Sequence, residues 1–579
     1  METTMKETKS LKPPAGANWH MNMAKGLIFI ALLWFTIFLL IVPNIHMVVS
    51  IFWQDGVFTL TAFTRLFAAP RATAALRNSF ILAPILSLTV GFIGLSLVLI
   101  TDYFKIAGAK MLRLGYMTTL LYGGIILVSG YRFLYGNTGF ITHFLVSIFP
   151  RFNTDWFEGF GAVLFVMTFA ATGTHLLFIR NALRSVDYQT IEAAQNMGAS
   201  PLTILGKIVL PTLMPSLMAV TVLTFLGGLG ALAAPLLIGG RDFQTIAPMI
   251  LSFGAMPGSR DLAGLMALFL GLATLVLIGF LSWLEKRGHY LSVSKVKTTL
   301  VKQKIKNPIW NALAHVYAYA LFLIYVAPVV LIVLFSFTDA RAIAAGQLRL
   351  SALTFDNYVR VLTTPDAYHP LIVSGFFSFL AAVGVSLLIV LVCRVITKYK
   401  GKLSVFIEYA FMIPWLLPSA FIALGLIATF SAPRWFIGGV ALIGTMGIVV
   451  LSYIVVAIPF TLRMTRAAFL SIDDTLEEAA RNLGAKSFYT FFKIMLPIIL
   501  PSIMAIFALN FNHLLTEFDM SRFLYHPLAR PLGVEIESLT REGSGDGTAT
   551  PFVYAVLMMI ISAIVLYVAY GRGGEKENG

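Results

Sequence analysis

The chain is poor in cysteine, in charge and above all in acid. Its 579 residues include one cysteine, Cys393, which excludes a disulfide framework and any multi-thiolate metal site. Nine histidines lie scattered at positions 20, 46, 143, 175, 289, 315, 369, 513 and 526. None forms an H-x-x-x-H pair, so the usual spacing of helical metal ligands is missing and no metal centre is expected. Charged residues make up 12% of the chain, and 27 Asp+Glu face 42 Lys+Arg for a formal charge of +15. Apolar residues make up 58%, and the mean hydropathy is +0.85. A soluble domain is about 45–50% apolar and about 25% charged. Water is therefore the wrong solvent for most of this surface, and a multidomain soluble enzyme is excluded. The scattered histidines and acids offer no catalytic cluster for a membrane-embedded enzyme either.

A helix crosses a bilayer with about 20 mostly apolar residues. Twelve stretches qualify: 26–49, 80–101, 115–135, 160–183, 213–238 and 263–284, then 311–336, 371–395, 408–430, 441–463, 499–521 and 552–571. The predicted fold class is an all-α integral membrane protein of about 12 transmembrane helices. The first span is too long for a signal peptide and has no small-residue cleavage pattern after it, so it reads as an anchor. An even number of spans puts both termini on one side, and the Lys/Arg bias selects the cytoplasm. In that topology the inside segments hold 28 Lys/Arg and the outside loops 14, and all 19 lysines lie inside. Topology accounts for much of the +15 without a nucleic-acid partner.

The longest hydrophilic stretch between spans, Lys286 to Lys306, carries seven Lys/Arg near the midpoint and reads as a cytoplasmic linker. Six spans flank it on each side. Arg180 to Ala219 aligns without gaps on Arg466 to Ala505, with 18 identities in 40 positions. Glu192, Ala193, Ala194, Gly198, Ile208, Leu210 and Pro211 recur as Glu478, Ala479, Ala480, Gly484, Ile494, Leu496 and Pro497. The copies share one orientation, so the repeat is parallel. Within the first copy, Ser185 or Asp187 can cap a helix that Gly198 ends, and Ser200 and Pro201 can start another. Pro211 and Pro215 then mark re-entry into the bilayer. The small Ala193 and Ala194 permit close approach to a partner, and each glutamate offers a carboxylate; a solvated turn with glutamates facing water is the plainer alternative.

The pattern EAA-x3-G-x9-I-x-L-P in a cytoplasmic loop resembles the signature of binding-protein-dependent ABC import permeases, and it occurs in both halves. The resemblance implies two homologous six-helix halves with the fold of type I ABC importer permeases. It divides the chain into a cytoplasmic tail (1–25), a first permease domain (26–285, coupling loop 184–212), a linker (286–310), a second permease domain (311–571, coupling loop 464–498) and a tail (572–579). It implies that both loops dock on ABC ATPase subunits, two per chain, and that a separate extracytoplasmic binding protein delivers the solute. No G-x-x-x-x-G-K-[ST] sequence occurs: Gly206-Lys207 and Gly401-Lys402 lack both the upstream Gly and the following Ser/Thr. ATP and magnesium therefore belong to the partner, no cofactor is expected on this chain, and the chain is not an enzyme. The implied location is the cell membrane. Fusion of both halves resembles the ferric-iron, thiamine and 2-aminoethylphosphonate systems, with ferric iron ranked first and polyamine import as a further alternative. An ion-coupled secondary transporter also has twelve spans, but has no need of twin coupling loops.

Ionisable groups inside a span are costly and so point to function. The eleventh span carries Asn510, His513 and Glu517 at i, i+3 and i+7 on one helical face, with Asn512, Thr516 and Asp519 beside it. Asn510, His513, Glu517 and Asp519 are the expected pathway residues, unless Glu517 and Asp519 sit at the outer end of the span, paired with Arg522 or water. The aligned segment of the first half, Gly227 to Pro235, is nearly apolar and places Ala231 opposite Glu517. The pathway is thus expected to be asymmetric, with the glycines serving helix packing. Pro414 and Pro418 flank Trp415 in the ninth span and mark either a hinge or a static kink.

Overall fold

The computed structural model describes residues 26–54, 56–120, 124–183, 186–256, 258–287, 301–344, 349–399, 401–542 and 548–574. The tail 1–25, Ser185, most of the basic linker and the last residues of the C-terminal tail lie outside the described residues. Among the described residues, ten helices are long and apolar enough to cross a membrane, and two bent pairs raise the number to twelve.

The first half runs α1 (Gly26–Phe52), α2 (Pro70–Tyr103), the bent pair α3 (Ala109–Leu120) and α4 (Gly124–Ile148), and α5 (Phe160–Leu183). It continues through the short α6 (Tyr188–Asn196), α7 (Pro201–Leu229), α8 (Ala233–Ile238), α9 (Ile246–Ala255) and α10 (Arg260–Arg287). The second half repeats this order as α11 (Pro308–Ser336), α12 (Pro365–Lys398), the bent pair α13 (Lys402–Leu416) and α14 (Ser419–Phe430), and α15 (Met446–Leu470). It ends with α16 (Asp474–Asn482), α17 (Ser487–Leu515), α18 (Ser521–Leu524), α19 (Leu532–Glu542) and α20 (Thr550–Gly574). The pairs α5/α15, α6/α16, α7/α17 and α9/α19 each begin 286 residues apart. The duplication found in 40 residues therefore extends through most of each half.

Local chemistry sets these boundaries. Pro70, Pro308 and Pro365 stand in the first turn of α2, α11 and α12, where the missing N–H has no intrahelical partner to lose. Asn307 caps α11 by accepting from the N–H groups of Ile309 and Trp310. Pro211 and Pro497 do not interrupt α7 and α17. Each follows a π-helical turn, Leu205–Val209 and Phe491–Met495, in which Leu210 and Leu496 donate five residues back and so re-register the backbone.

Two spans end earlier than expected. The fifth stops at Leu229 and the eleventh at Leu515, instead of 238 and 521, and in each half a separate short helix follows. Beyond them α9 and α19, which hydropathy did not reveal, return to the bundle. Ser79 of α2 accepts from the N–H of Ile246 at 2.9 Å, and Ser374 of α12 accepts from that of Leu532 at 2.6 Å. The two halves thus cap the same helix with the same side chain.

The halves exchange their first spans. Leu32, Leu39 and Leu40 of α1 are buried with Phe377, Phe411, Ala423 and Tyr453 of the second half. Phe38 of α1 stacks on Phe436 with ring centroids 4.5 Å apart. Reciprocally, Leu321, Tyr325 and Phe335 of α11 are buried with Leu97, Tyr116 and Val163 of the first half, and Tyr116 donates to the carbonyl of Ala318 at 2.8 Å. Burial of large apolar side chains across the midline makes one bundle of the two repeats. Leu88, Phe92, Val276, Leu387 and Tyr567 remain outward-facing and exposed, as a lipid-covered surface allows.

Candidate functional site: twin loops and a central cavity

Both loops fold alike. Asp187 caps α6 by accepting from Gln189 N, and Asp473 caps α16 by accepting from Thr475 N. That bond holds the Asp473 carboxyl below its ordinary value. The helices end at Gly198 (φ 81°) and Gly484 (φ 84°), a left-handed conformation that glycine takes without a Cβ penalty. Ala199 N and Ala485 N then reach back to the carbonyls of Ala194 and Ala480, both at 2.9 Å. Glu192, Ala193, Glu478 and Ala479 are exposed, whereas Ala194 and Ala480 are buried. The close approach expected of both alanines is therefore open only to Ala193 and Ala479.

Four exposed apolar side chains, which the motif had not brought forward, flank the glycines. Met197 is 81% and Leu202 77% exposed, and 286 residues later Leu483 is 89% and Phe488 74% exposed. The exposure is thus matched position for position between the two loops. Different anchors hold the loops to the bundle. Arg180 at the end of α5 reaches Asp102 at 3.0 Å, and Arg113 shares that carboxylate at 3.4 Å. In the second half Arg394 holds Glu477 at 2.7 Å, a hydrogen-bonded ion pair that keeps the Glu477 carboxyl below its usual value.

Between the halves lies a cavity of about 330 Å3. The first half lines it with Gly227, Gly230 and the 231–234 segment, and the second with Trp415, Pro418, Asp519 and Phe523. Gly227 is open on this side, whereas a Cβ on Gly228 would stand 2.9 Å from the Cα of Ala83; only the latter serves helix packing. Pro418 is the N-cap of α14 at the break where α13 and α14 bend by 111°, and Pro414 stands in the first turn of the last helical segment before it. The first half bends by 113° between α3 and α4.

The structure separates the four expected pathway residues. Asp519 reaches the cavity. Asn510 is buried and donates to Thr461 Oγ1 at 2.8 Å, while His513 is exposed near the end of α17. Glu517 does not share their helical face, because α17 ends at Leu515. Its carboxylate is buried and accepts from Met520 N at 2.7 Å and Ser521 N at 3.0 Å, capping α18. Arg522 pairs with Glu537, not with Glu517 or Asp519. Ala231 cannot cap in this way, and α8 has no side-chain cap. Among the described residues no group of three or more His, Cys, Asp or Glu could hold a metal ion.

A membrane bundle of two parallel repeats with paired cytoplasmic-type loops and a cavity between them defines a transport permease. The family model described as a binding-protein-dependent transport system inner membrane component matches residues 386–572. A probable ABC transporter permease, y4fN of Sinorhizobium fredii, is 36% identical over 559 residues, 96% of this chain and 97% of that one. The ferric transport system permease FbpB of Actinobacillus pleuropneumoniae is 21% identical, over 92% of this chain and 76% of that protein. A putative 2-aminoethylphosphonate transport system permease, PhnV of Salmonella choleraesuis, is 26% identical over 44% of this chain and 94% of its own length. The chain belongs to the family of binding-protein-dependent ABC transporter permeases. It is a multi-pass inner-membrane transport component and not an enzyme.

Proposed function

We propose that the twin loops couple this permease to a pair of ABC ATPase subunits, and that it imports ferric iron handed over by an extracytoplasmic binding protein. The observation that carries the coupling is the matched exposure of Met197 and Leu202 with Leu483 and Phe488 around two identically built turns. Glu192 and Glu478 stand exposed beside them for basic groups of the ATPase. The division into domains 26–285 and 311–571 joined by a basic linker gives each ATPase one loop. The central cavity is the passage: Asp519 lines it, Glu517 holds its wall, Asn510 and His513 stand below on α17, and the bend at Pro414 and Pro418 is its hinge. Ferric iron is favoured by the similarity to ferric permeases along nearly the whole chain. 2-Aminoethylphosphonate is the second reading, favoured by the relative that matches one half; thiamine and polyamines are weaker ones.

Reversal of Glu192 and Glu478 to Lys, combined with Leu483→Asp, is expected to abolish co-purification of the ATPase and solute uptake while the protein remains folded in the membrane. Retention of both activities overturns the coupling role. Uptake that persists on ATP depletion with ion gradients clamped identifies a secondary transporter instead.

A further inference from the structure

Three cavities follow one another from the end of the bundle opposite the twin loops to its centre. The first, about 610 Å3, is lined by Arg71, Arg241, Arg522 and Arg541 with Gln244 and Ser252. The second, about 530 Å3, shares Arg522, Leu251 and Ala255 with the first. The central cavity shares Phe523 with the second, and Phe523 packs against all three apolar clusters of the bundle. Arg71 opens α2, whose other end holds Asp102 beside the loops. About 30 residues at about 1.5 Å each put the arginine cavity roughly 45 Å from them.

The charge of this first cavity is unbalanced. Arg522 and Arg541 share one carboxylate, Glu537, through Nε contacts of 3.1 and 2.9 Å. Arg71 and Arg241 make no ion pair among the described residues, and Asp242 does not line the cavity. Four guanidiniums and no carboxylate therefore line a concave site contributed by both halves, with Glu537 holding two of them and the Glu158 carboxylate beside Gly240 at its edge. On the extracytoplasmic side of a membrane protein basic residues are disfavoured, so topology does not account for the cluster. Guanidinium groups present planar, paired N–H donors that match the oxygens of phosphate, phosphonate and carboxylate.

We propose that this vestibule binds a small oxyanion and admits the cargo as an anion, past Arg522 and Phe523, into the central cavity. The inference rests on the importer reading for which face is outside, and it sharpens the substrate class. A bare trivalent cation is repelled here, so ferric iron enters only as an anionic complex, whereas a phosphonate enters directly.

The test uses the full chain in nanodiscs of phosphatidylcholine, with orthophosphate, 2-aminoethylphosphonate and ferric citrate as separate probes in equilibrium dialysis. The expected result is saturable, salt-sensitive binding of at least one probe, with the preferred probe identifying the source of the oxyanion. Arg71→Ser with Arg241→Ser is expected to weaken binding by at least about tenfold, the effect of losing one charged hydrogen bond. The matching Lys variant is expected to restore part of it. Neither residue holds an ion pair, so an unchanged melting temperature shows that the fold survives; if it does not survive, salt sensitivity of the unmodified protein is the deciding measurement. Absence of saturable binding for all three probes, or binding indifferent to salt and to the arginines, overturns the proposal. Loss of binding-protein capture with oxyanion binding intact also overturns it, because the cluster is then a docking patch for an acidic protein. No ATPase enters the measurement, so a failure of the coupling reading is seen separately in co-purification.

Discussion

Both loops are tied to the bundle by ion pairs, but the first adds a buried apolar side chain where the second places a paired carboxylate, although their caps and turns are alike. Ile191 of α6 is fully buried, and the position 286 residues later is Glu477, half-exposed and bound to Arg394. Conversely, the carboxylate that receives Arg180 in the first half comes from Asp102 on α2, whereas in the second half Arg466 pairs with Glu408 of α13. The duplication kept what shapes the turn, an aspartate cap and a left-handed glycine, and let the attachment diverge. The geometry of the turn is common to both halves; attachment is private to each.

The largest expected effect lies at Asp102. Its replacement by Ala leaves Arg113 and Arg180 partly buried without a counter-charge, a loss of about 3 kcal/mol or more when one partner of such a cluster is removed. A clear fall in melting temperature in detergent is expected, larger than for Glu477→Ala; equal falls would break the contrast between the anchors. Next come Gly198→Ala and Gly484→Ala. Each forces an L-residue into the left-handed region at roughly 1–2 kcal/mol with open space around it, so hydrogen exchange in α6 and α16 is expected to rise equally in the two variants. Unequal rises would show that the turns are not equivalent.

The smallest effect is one of pH. The Glu477 carboxyl lies below its ordinary 4.5 because Arg394 stabilises the ionised form. The second loop's attachment is therefore fully present above pH 4.5 and is lost as pH falls through the depressed value. Protease cleavage within 464–498, using an acid-active protease, is expected to rise on that descent, and Glu477→Gln is expected to reduce the dependence to the part contributed by the Asp473 cap. A pH profile unchanged by that variant would assign the anchoring to another contact.

Most of the bundle was legible because lipid demands about 20 apolar residues per span, a signal that few other structures produce. The eleventh span shows where legibility stopped. Apolar and polar residues run on through Phe518, so periodicity carried Glu517 onto the face of Asn510 and His513. The actual end at Leu515 comes from Glu517 itself, whose carboxylate binds the N–H groups of Met520 and Ser521 and starts α18 instead of prolonging α17. Helices α9 and α19 were missed because Ser79 and Ser374 cap them from distant spans. The four arginines of the vestibule are drawn from both halves, between positions 71 and 541, and no spacing announces them.

By itself the sequence determined the solvent, the spanning helices, the parallel duplication and its twin turns, because each is written in contiguous residues through hydropathy, caps and glycine. The tertiary structure alone decided that the first spans change places, that Asp519 and not Glu517 reaches the central cavity, and that arginines from both halves gather above it. Those outcomes depend on how separate helices pack, and packing joins residues that the chain order keeps apart.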